Sequence, residues 1–435
     1  MSLRNAAWIA LGAIGLGVVV LASTDRVPSR AEPWSEALAV VRASQGGDDV
    51  LDERIRGLQR RLSPAVPDPA LLERLGWTFV AKAQATDDPG YFVLAERTAE
   101  AIDALRPGSA AGRLLRAHAF TSLHRFEKAE PIAHALAVSR GAPSDWAIYG
   151  DVLMERGRLG DAVEAYQRMI DLRPDAAAYA RIAHVRQLTG DLDGALAAID
   201  LATHAASPRN RETYAWVWIK RGSYELQRGR LDAALRASDT ALAVHPTAAA
   251  ALVLRGRVLL AQRRTDDALA ALSRAAEQSP LPDVLWTLAE ALRMAGRDGE
   301  AATVEARLEA SGEGTDPRGL ALFLASRGRH VARAVALARH ELAARRDVHT
   351  WAALAWAEAA AGDVTAAWRH ARRALVHHTA DARLAYQTGV IALRAGARDE
   401  GRRLLAQAAH GEAALLPSER AALAVHLQNT NKARR

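Results

Sequence analysis

Residues 150–174 read GDVLMERGRLGDAVEAYQRMIDLRP, and residues 256–280 read GRVLLAQRRTDDALAALSRAAEQSP. The letters differ, but small, large and chain-breaking residues fall at the same positions. In the unit Ser144–Asp175, Trp146, Tyr149 and Leu153 stand at i, i+3 and i+7, one face of a helix. Gly150 is small where a paired helix must approach. Gly157 suits the left-handed residue that ends a helix. Ala162, Tyr166 and Met169 form the apolar stripe of a second helix, and Pro174 cannot continue it. The stretch predicts two short helices joined by a tight turn.

The unit recurs. Anchored on the small residue that opens its second helix, the series runs Ala95, Ala129, Ala162, Ala195, Ala234, Ala268, Ala301, Ala334, Ala367, Gly401. Most steps are 33 or 34 residues. The step from Ala195 to Ala234 is longer, and ASPRNRE (Ala206–Glu212) is where the extra residues fit. A recurrence at this period marks a repeat architecture, because a two-helix unit cannot bury its apolar face until it stacks on a neighbour.

The pattern resembles the tetratricopeptide repeat (TPR) family on Trp146, Gly150, Ala162, Tyr166 and Pro174. Further units keep part of it: Trp218, Gly222, Ala234 and Pro246; Gly256, Ala268 and Pro280; Trp351, Ala355, Ala367 and Ala374; Gly389. The resemblance covers roughly Pro67–Glu412. It implies an all-α solenoid, a right-handed superhelix of about ten helical pairs with a long concave surface. In the first unit Gly76 and Ala95 stand far apart, and ATDDPGY (Ala85–Tyr91) reads as a longer loop. ASGEGTDPRG (Ala310–Gly319) reads as a soft joint. Trp34–Leu62 adds lead-in helices, Leu416–Gln428 reads as a capping helix, and NTNKARR as a frayed tail. The expected division is residues 1–24, a signal peptide or membrane anchor; 25–66, linker and lead-in; 67–412, solenoid; 413–435, cap and basic tail.

Composition agrees with a helical body. Of 435 residues half are hydrophobic, a quarter charged and only 5% aromatic, and Ala, the best helix former, supplies much of the apolar content. The net charge is +7, almost all of it Arg; Lys occurs only at Lys82, Lys128, Lys220 and Lys432. The arginines are interspersed with Asp and Glu, as on a solvated helix face. With no Cys, disulfides, thiolate metal sites and a lipid-modified N-terminal Cys are excluded. At the N-terminus, MSLRNAAWIALGAIGLGVVVLASTDR has a positive start and an uncharged apolar run from Ala6 to Ala22. It is short for a full crossing and reads as a signal peptide or, preferably, an uncleaved anchor. Basic residues on both sides leave its orientation nearly balanced, and the short flank favours export of the body.

No catalytic, cofactor or metal motif emerges. His118, His124 and His134, and His370, His377 and His378, lie near one another without ligand spacing. The glycines sit at repeat turns, not in phosphate loops. Acidic pairs such as Asp87-Asp88 and Asp266-Asp267 suit helix starts. The resemblance directs attention to the concave face lined by first helices. By register this selects Asp151, Glu155, His184, Gln187, Trp216, Ser223, Arg257, Trp286, Glu290, Arg293, Trp356, Tyr386 and Arg394 as candidate partner-binding residues. Trp, Tyr and Arg among acids are typical of binding hot spots. The Lys and Asn carboxylate clamp of chaperone-binding TPRs is absent at these positions. The expectation is a non-enzymatic scaffold at the bacterial inner membrane or in the periplasm, holding a protein or peptide for envelope assembly or secretion. Two alternatives stay open: a helical-repeat RNA reader, which the basic charge favours, and a peptide-sensing regulator.

Overall fold

The computed structural model describes residues 32–432. Two helices lead in, α1 (Ser35–Arg42) and α2 (Val50–Arg61). Ten antiparallel pairs follow. Repeats 1 to 3 are α3 (Pro69–Thr86) with α4 (Gly90–Leu105), α5 (Ala110–Ser122) with α6 (Phe126–Ser139), and α7 (Pro143–Glu155) with α8 (Leu159–Leu172). Repeats 4 to 6 are α9 (Ala176–Leu188) with α10 (Leu192–Ala205), α11 (Arg211–Gln227) with α12 (Leu231–Val244), and α13 (Ala249–Ala261) with α14 (Thr265–Gln278). Repeats 7 and 8 are α15 (Pro282–Met294) with α16 (Asp298–Thr315) and α17 (Pro317–Arg327) with α18 (Val331–Ala344). Repeats 9 and 10 are α19 (Val348–Ala360) with α20 (Val364–Ala374) and α21 (Ala382–Arg394) with α22 (Arg398–His410); a 3-10 turn, Glu412–Ala414, and α23 (Pro417–Lys432) close the chain. Among the described residues there is no strand. The architecture is an all-helical solenoid.

Each pair is held by large residues of one helix against small residues of the other. A Cβ on Gly150 would stand 2.4 Å from the Tyr166 ring, and one on Gly256 2.5 Å from Leu272. Tyr166 and the nine alanines of the repeat series are fully buried. Losing such a large buried side chain would cost about 3–5 kcal/mol. First helices often open on an aspartate whose carboxylate accepts from the first turn, as at Asp175, Asp347 and Asp381. Each such cap is worth about 1 kcal/mol.

Four local expectations change. ATDDPGY is not a long loop: α3 itself runs to Thr86, its 18 residues absorb the extra length, and only Asp87–Pro89 connect it to α4. ASGEGTDPRG is not a soft joint. Helix α16 continues through it to Thr315, Gly312 packs tightly on Leu320 and Pro282, and Asp316 caps α17. NTNKARR does not fray at once, since α23 reaches Lys432. The extra residues near ASPRNRE go partly into α11, which is 17 residues long.

The larger difference concerns the superhelix. In place of an open spiral, successive turns touch edge to edge. The helix–turn–helix corner of one repeat meets the loop that follows the repeat five further on. At repeat 1, Asp87 reaches Ser279, before α15. At repeat 3, Arg346 N donates to Glu155 O at 2.7 Å, and Arg345 to the Glu155 carboxylate at 2.8 Å. At repeat 4, Gln187 exchanges two hydrogen bonds with Ala380 at 2.9 and 3.0 Å, while Thr379 donates to Leu188 O at 2.9 Å. At repeat 5, Gly411, in the loop after α22, lies so close that a Cβ on it would stand 3.0 Å from Gln227 O, and Ala382 N at the start of α21 also donates to the Gln227 side chain at 3.1 Å. Leu159, Leu188, Val348, Ala352, Ala374 and Leu384 form an apolar cluster across the same seam. Helix α23 closes the far end: Ser418 donates to Glu290, and Arg420 to Leu260 O.

The expected N-terminal signal or anchor, residues 1–24, lies outside the described residues. Among those described, no helix is long and apolar enough to cross a membrane.

Candidate functional site

The inner face is built by the first helix of each pair. The residue directly after the small position faces inward, giving a column of Asp151, His184, Ser223, Arg257 and Glu290 that continues at Trp356. Most of this column is satisfied within the chain. Asp151 accepts two hydrogen bonds from Arg181, at 2.8 and 2.7 Å, and one from Tyr166 at 2.8 Å. Burial alone would raise its carboxyl; the Arg181 charge and these hydrogen bonds overcome it and hold the group below the usual range. Ser223 donates to Ile219 O. Arg257 pairs with Asp283 and lines a cavity of about 300 Å³ with Ile219, Ser223, Val253 and Asp87. Glu290, 2% exposed, pairs with Arg327 at 2.9 Å and accepts from Ser418.

The remaining candidates separate into engaged and presented groups. Glu155 and Gln187 belong to the seam between turns. Trp286 does not face an open groove. It is 3% exposed, meets Phe323 edge-on at 5.6 Å and carries the Arg383 guanidinium 5.0 Å over its ring. Arg293 pairs with the buried Glu305. Trp356 donates to Ser326 at 2.9 Å and lies 5.9 Å from Tyr386. Tyr386 is buried, its hydroxyl pushed up to about 12 by burial and the nearby Glu419. Trp216, at 39%, and Arg394 stay exposed. The physical reason is mostly local: Asp151, Trp286, Glu290, Arg293 and Trp356 are engaged by their own or the adjoining repeat, and Glu155 and Gln187 by the next turn of the solenoid.

His184 differs from its neighbours in the column. The charges of Lys220 on α11 and His349 on α19 act on it. Burial, then the two neighbouring positive groups, push its imidazole down to about 3. The Lys220 ammonium is lowered by burial, offset in part by Glu155. The sequence reading passed over Arg181, Lys220 and His349. The first two carried a usable signal: each stands two residues before the small position of its helix, Ala183 or Gly222. Among the described residues no group of three or more His, Asp or Glu is arranged to hold a metal ion.

Four overlapping stretches, residues 114–177, 150–210, 219–281 and 254–314, match the tetratricopeptide repeat family. Residues 114–210 and 219–314 are built of tetratricopeptide repeats. No curated protein matches its sequence. Among solved structures, this TPR chain is similar to a human IFIT1 dimer with PPP-AAAA, at 13% identity and a TM-score of 0.48, over 86% of this chain and 98% of that one. It is also similar to pilF of Pseudomonas aeruginosa, at 13% identity and a TM-score of 0.40, over 50% of this chain and 97% of that one. At such scores these likenesses bear on neither ligand nor role.

Proposed function

We propose that this TPR protein is a non-enzymatic scaffold that holds a protein or peptide partner against its inner face at the bacterial inner membrane, in envelope assembly or secretion. The observation that carries the reading is the repeat stack itself, in which ten helical pairs bring one column of first-helix side chains to a common inner face. TPR units serve as protein-interaction surfaces, and this stack still presents an aromatic residue typical of hot spots. Trp216 lies one helical turn before Lys220 on α11 and keeps 39% of its surface. The compartment rests on the apolar run Ala6–Ala22, which would anchor the body or direct its export.

The test is site-specific photo-crosslinking in intact cells from position 216, with Leu172, exposed on α8, as the outer-face control. A discrete protein adduct from 216 and none from 172 is expected, with the body protease-accessible in spheroplasts. Equal labelling from both positions would overturn the inner face as the partner surface. RNA adducts from 216 would replace the protein partner with a nucleic acid.

A further inference from the structure

The seam between turns has one gap. Repeats 1, 3, 4 and 5 each reach the loop that follows the repeat five further on. At the corner of repeat 2, residues 122–125, the contacts stay local: Arg125 pairs with Glu96 at 2.7 Å, and the His124 ring stacks on Phe126 at 5.8 Å. Among the described residues no hydrogen bond or ion pair crosses from this corner to residues 313–317. The cause is the length of α16. It runs 18 residues where α14 and α18 run 14, so Asp316 alone connects it to α17 and no loop is left to reach across. The space between is a cavity of about 660 Å³, bordered by α3, α4 and the repeat 2 corner on one side and by α16, α17 and α18 on the other. That volume suits a small-molecule site. Phe92, Leu123 and Leu281 give it apolar walls.

Its charged lining is unevenly satisfied. Arg125 is held by Glu96, and Glu313 by Arg333 at 2.7 Å. His124 enters neutral, since burial and then Arg345 and Arg318 push its imidazole down to about 4. His340 is exposed. Two carboxylates remain. Glu341 of α18 is 5% exposed, and its Oε2 has no hydrogen-bond partner. The guanidinium paired with it, that of Arg345, stands 3.9 Å off and is shared with Glu155 at 2.7 Å and Asp347 at 3.6 Å. Asp87 lines the cavity from the other turn and has no ion pair among the described residues. Burial raises both carboxyls, and Arg345 and Arg318 beside Glu341, or Ser279 beside Asp87, offset it only in part. A buried carboxylate without a full counter-charge is costly, and this one borders an open space.

We propose that the gap is a binding site for a primary aliphatic amine, its ammonium placed against Glu341 and its chain against Phe92 and Leu281. An ammonium brings only donors, which is what an unpartnered carboxylate oxygen lacks, and the bond between them is charge-assisted. The Phe92 ring adds a face that attracts a cation. Among the described residues no three His, Asp or Glu are arranged to hold a metal ion, so an organic cation fits the lining better than an inorganic one. Asp87 offers a second acceptor, which favours a diamine. Trp216 does not line this cavity, so the site stands or falls independently of the partner surface.

The experiment is calorimetric titration and thermal melting of the full-length protein with putrescine and with Nα-acetyl-lysine amide, ionic strength being held constant with sodium chloride. Two variants are compared. Glu341→Gln keeps the shape of the side chain and removes its charge. Gly314→Trp fills the gap from α16, where a Cβ meets nothing within 4 Å. Putrescine is expected to raise the melting temperature of the wild type by a few degrees and to bind Glu341→Gln about tenfold more weakly, the worth of one hydrogen bond to a charged group. Without amine, Glu341→Gln is expected to melt at or above the wild type. Gly314→Trp is expected to melt like the wild type and to lose the response; should it fail to fold, Glu341→Gln alone decides. Tighter binding of putrescine would make the ligand a free diamine, and tighter binding of the lysine derivative would place the ammonium on a lysine side chain; both support the site. No response in the wild type, equal binding by Glu341→Gln or a full response in Gly314→Trp would overturn it. So would a lower melting temperature for Glu341→Gln without amine, which would show that the chain itself satisfies this carboxylate.

Discussion

Gly157 meets two demands at one Cα. Its backbone lies in the left-handed region, φ 76°, where it ends α7. A Cβ there would also stand 2.5 Å from Arg346 O on the adjoining turn of the solenoid. Gly362 shares the first demand, with φ 89°, but faces open space. Gly362→Ala should therefore cost about 1 kcal/mol, the left-handed penalty for an L residue. Gly157→Ala adds overpacking of about 1–3 kcal/mol against a backbone carbonyl that cannot swing away. Urea melts of the two variants check this, and equal losses would show that the seam gives way easily. The capping role of Gly157 was legible from its place between two apolar stripes. The second role was not, because the atom that imposes it lies some 190 residues away and leaves no local pattern. Trp286 makes the same point. Its register named the face correctly as that of a first helix, but its exposure depends on Phe323 and Arg383, which belong to later repeats.

Among the elements, the lead-in helices are joined to the stack by a compact charged device. Asp49 caps α2 through Asp52 N, and Asp52 returns a bond to Asp49 N. Lys82 of α3, 6% exposed, donates to both carboxylates at 2.7 and 2.9 Å. Burial would lower this ammonium; hydrogen bonds from it to Asp49 and Asp52 outweigh that and raise it. Lys82→Met leaves two neighbouring carboxylates, one of them buried, without their cation. The expected cost is about 3–5 kcal/mol, confined to the start of the chain. Hydrogen exchange should lose protection across residues 50–61 while α13 to α22 keep theirs. Loss of protection throughout would mean that the lead-in helices hold up the whole stack. The lengths of α3 and α16 mark the limit of sequence reading at this scale. Pro and Gly near 88–90 and Gly and Thr near 312–315 look like breaks. Helix continuation won at both places because tertiary packing holds the backbone, as Gly312 against Leu320 and Pro282 shows.

For the whole molecule, the seam changes how stability is distributed. In an open solenoid each repeat senses only its neighbours. Here Glu155 and Arg345 are linked at 2.7 Å across 190 positions. A double-mutant cycle on Glu155→Ala and Arg345→Ala should give a coupling of about 0.5–3 kcal/mol, measured from denaturant melts. A coupling near zero would mean that the turns only touch. Fold class and repeat phase were legible because each alanine of the series answers to a partner within its own unit. The closeness of the turns was not, since the superhelical pitch accumulates from small rotations that no single unit encodes. This closure gives the chain a thread, like that of a screw. Deleting or duplicating one whole repeat between α9 and α18 would leave nearly every local interface sound, yet would bring each later loop against the wrong corner. Gln187 would lose Ala380, and Gly157 would lose Arg346. Repeat proteins commonly grow and shrink by single modules; the number of modules in this one is fixed by the fit between its own coils.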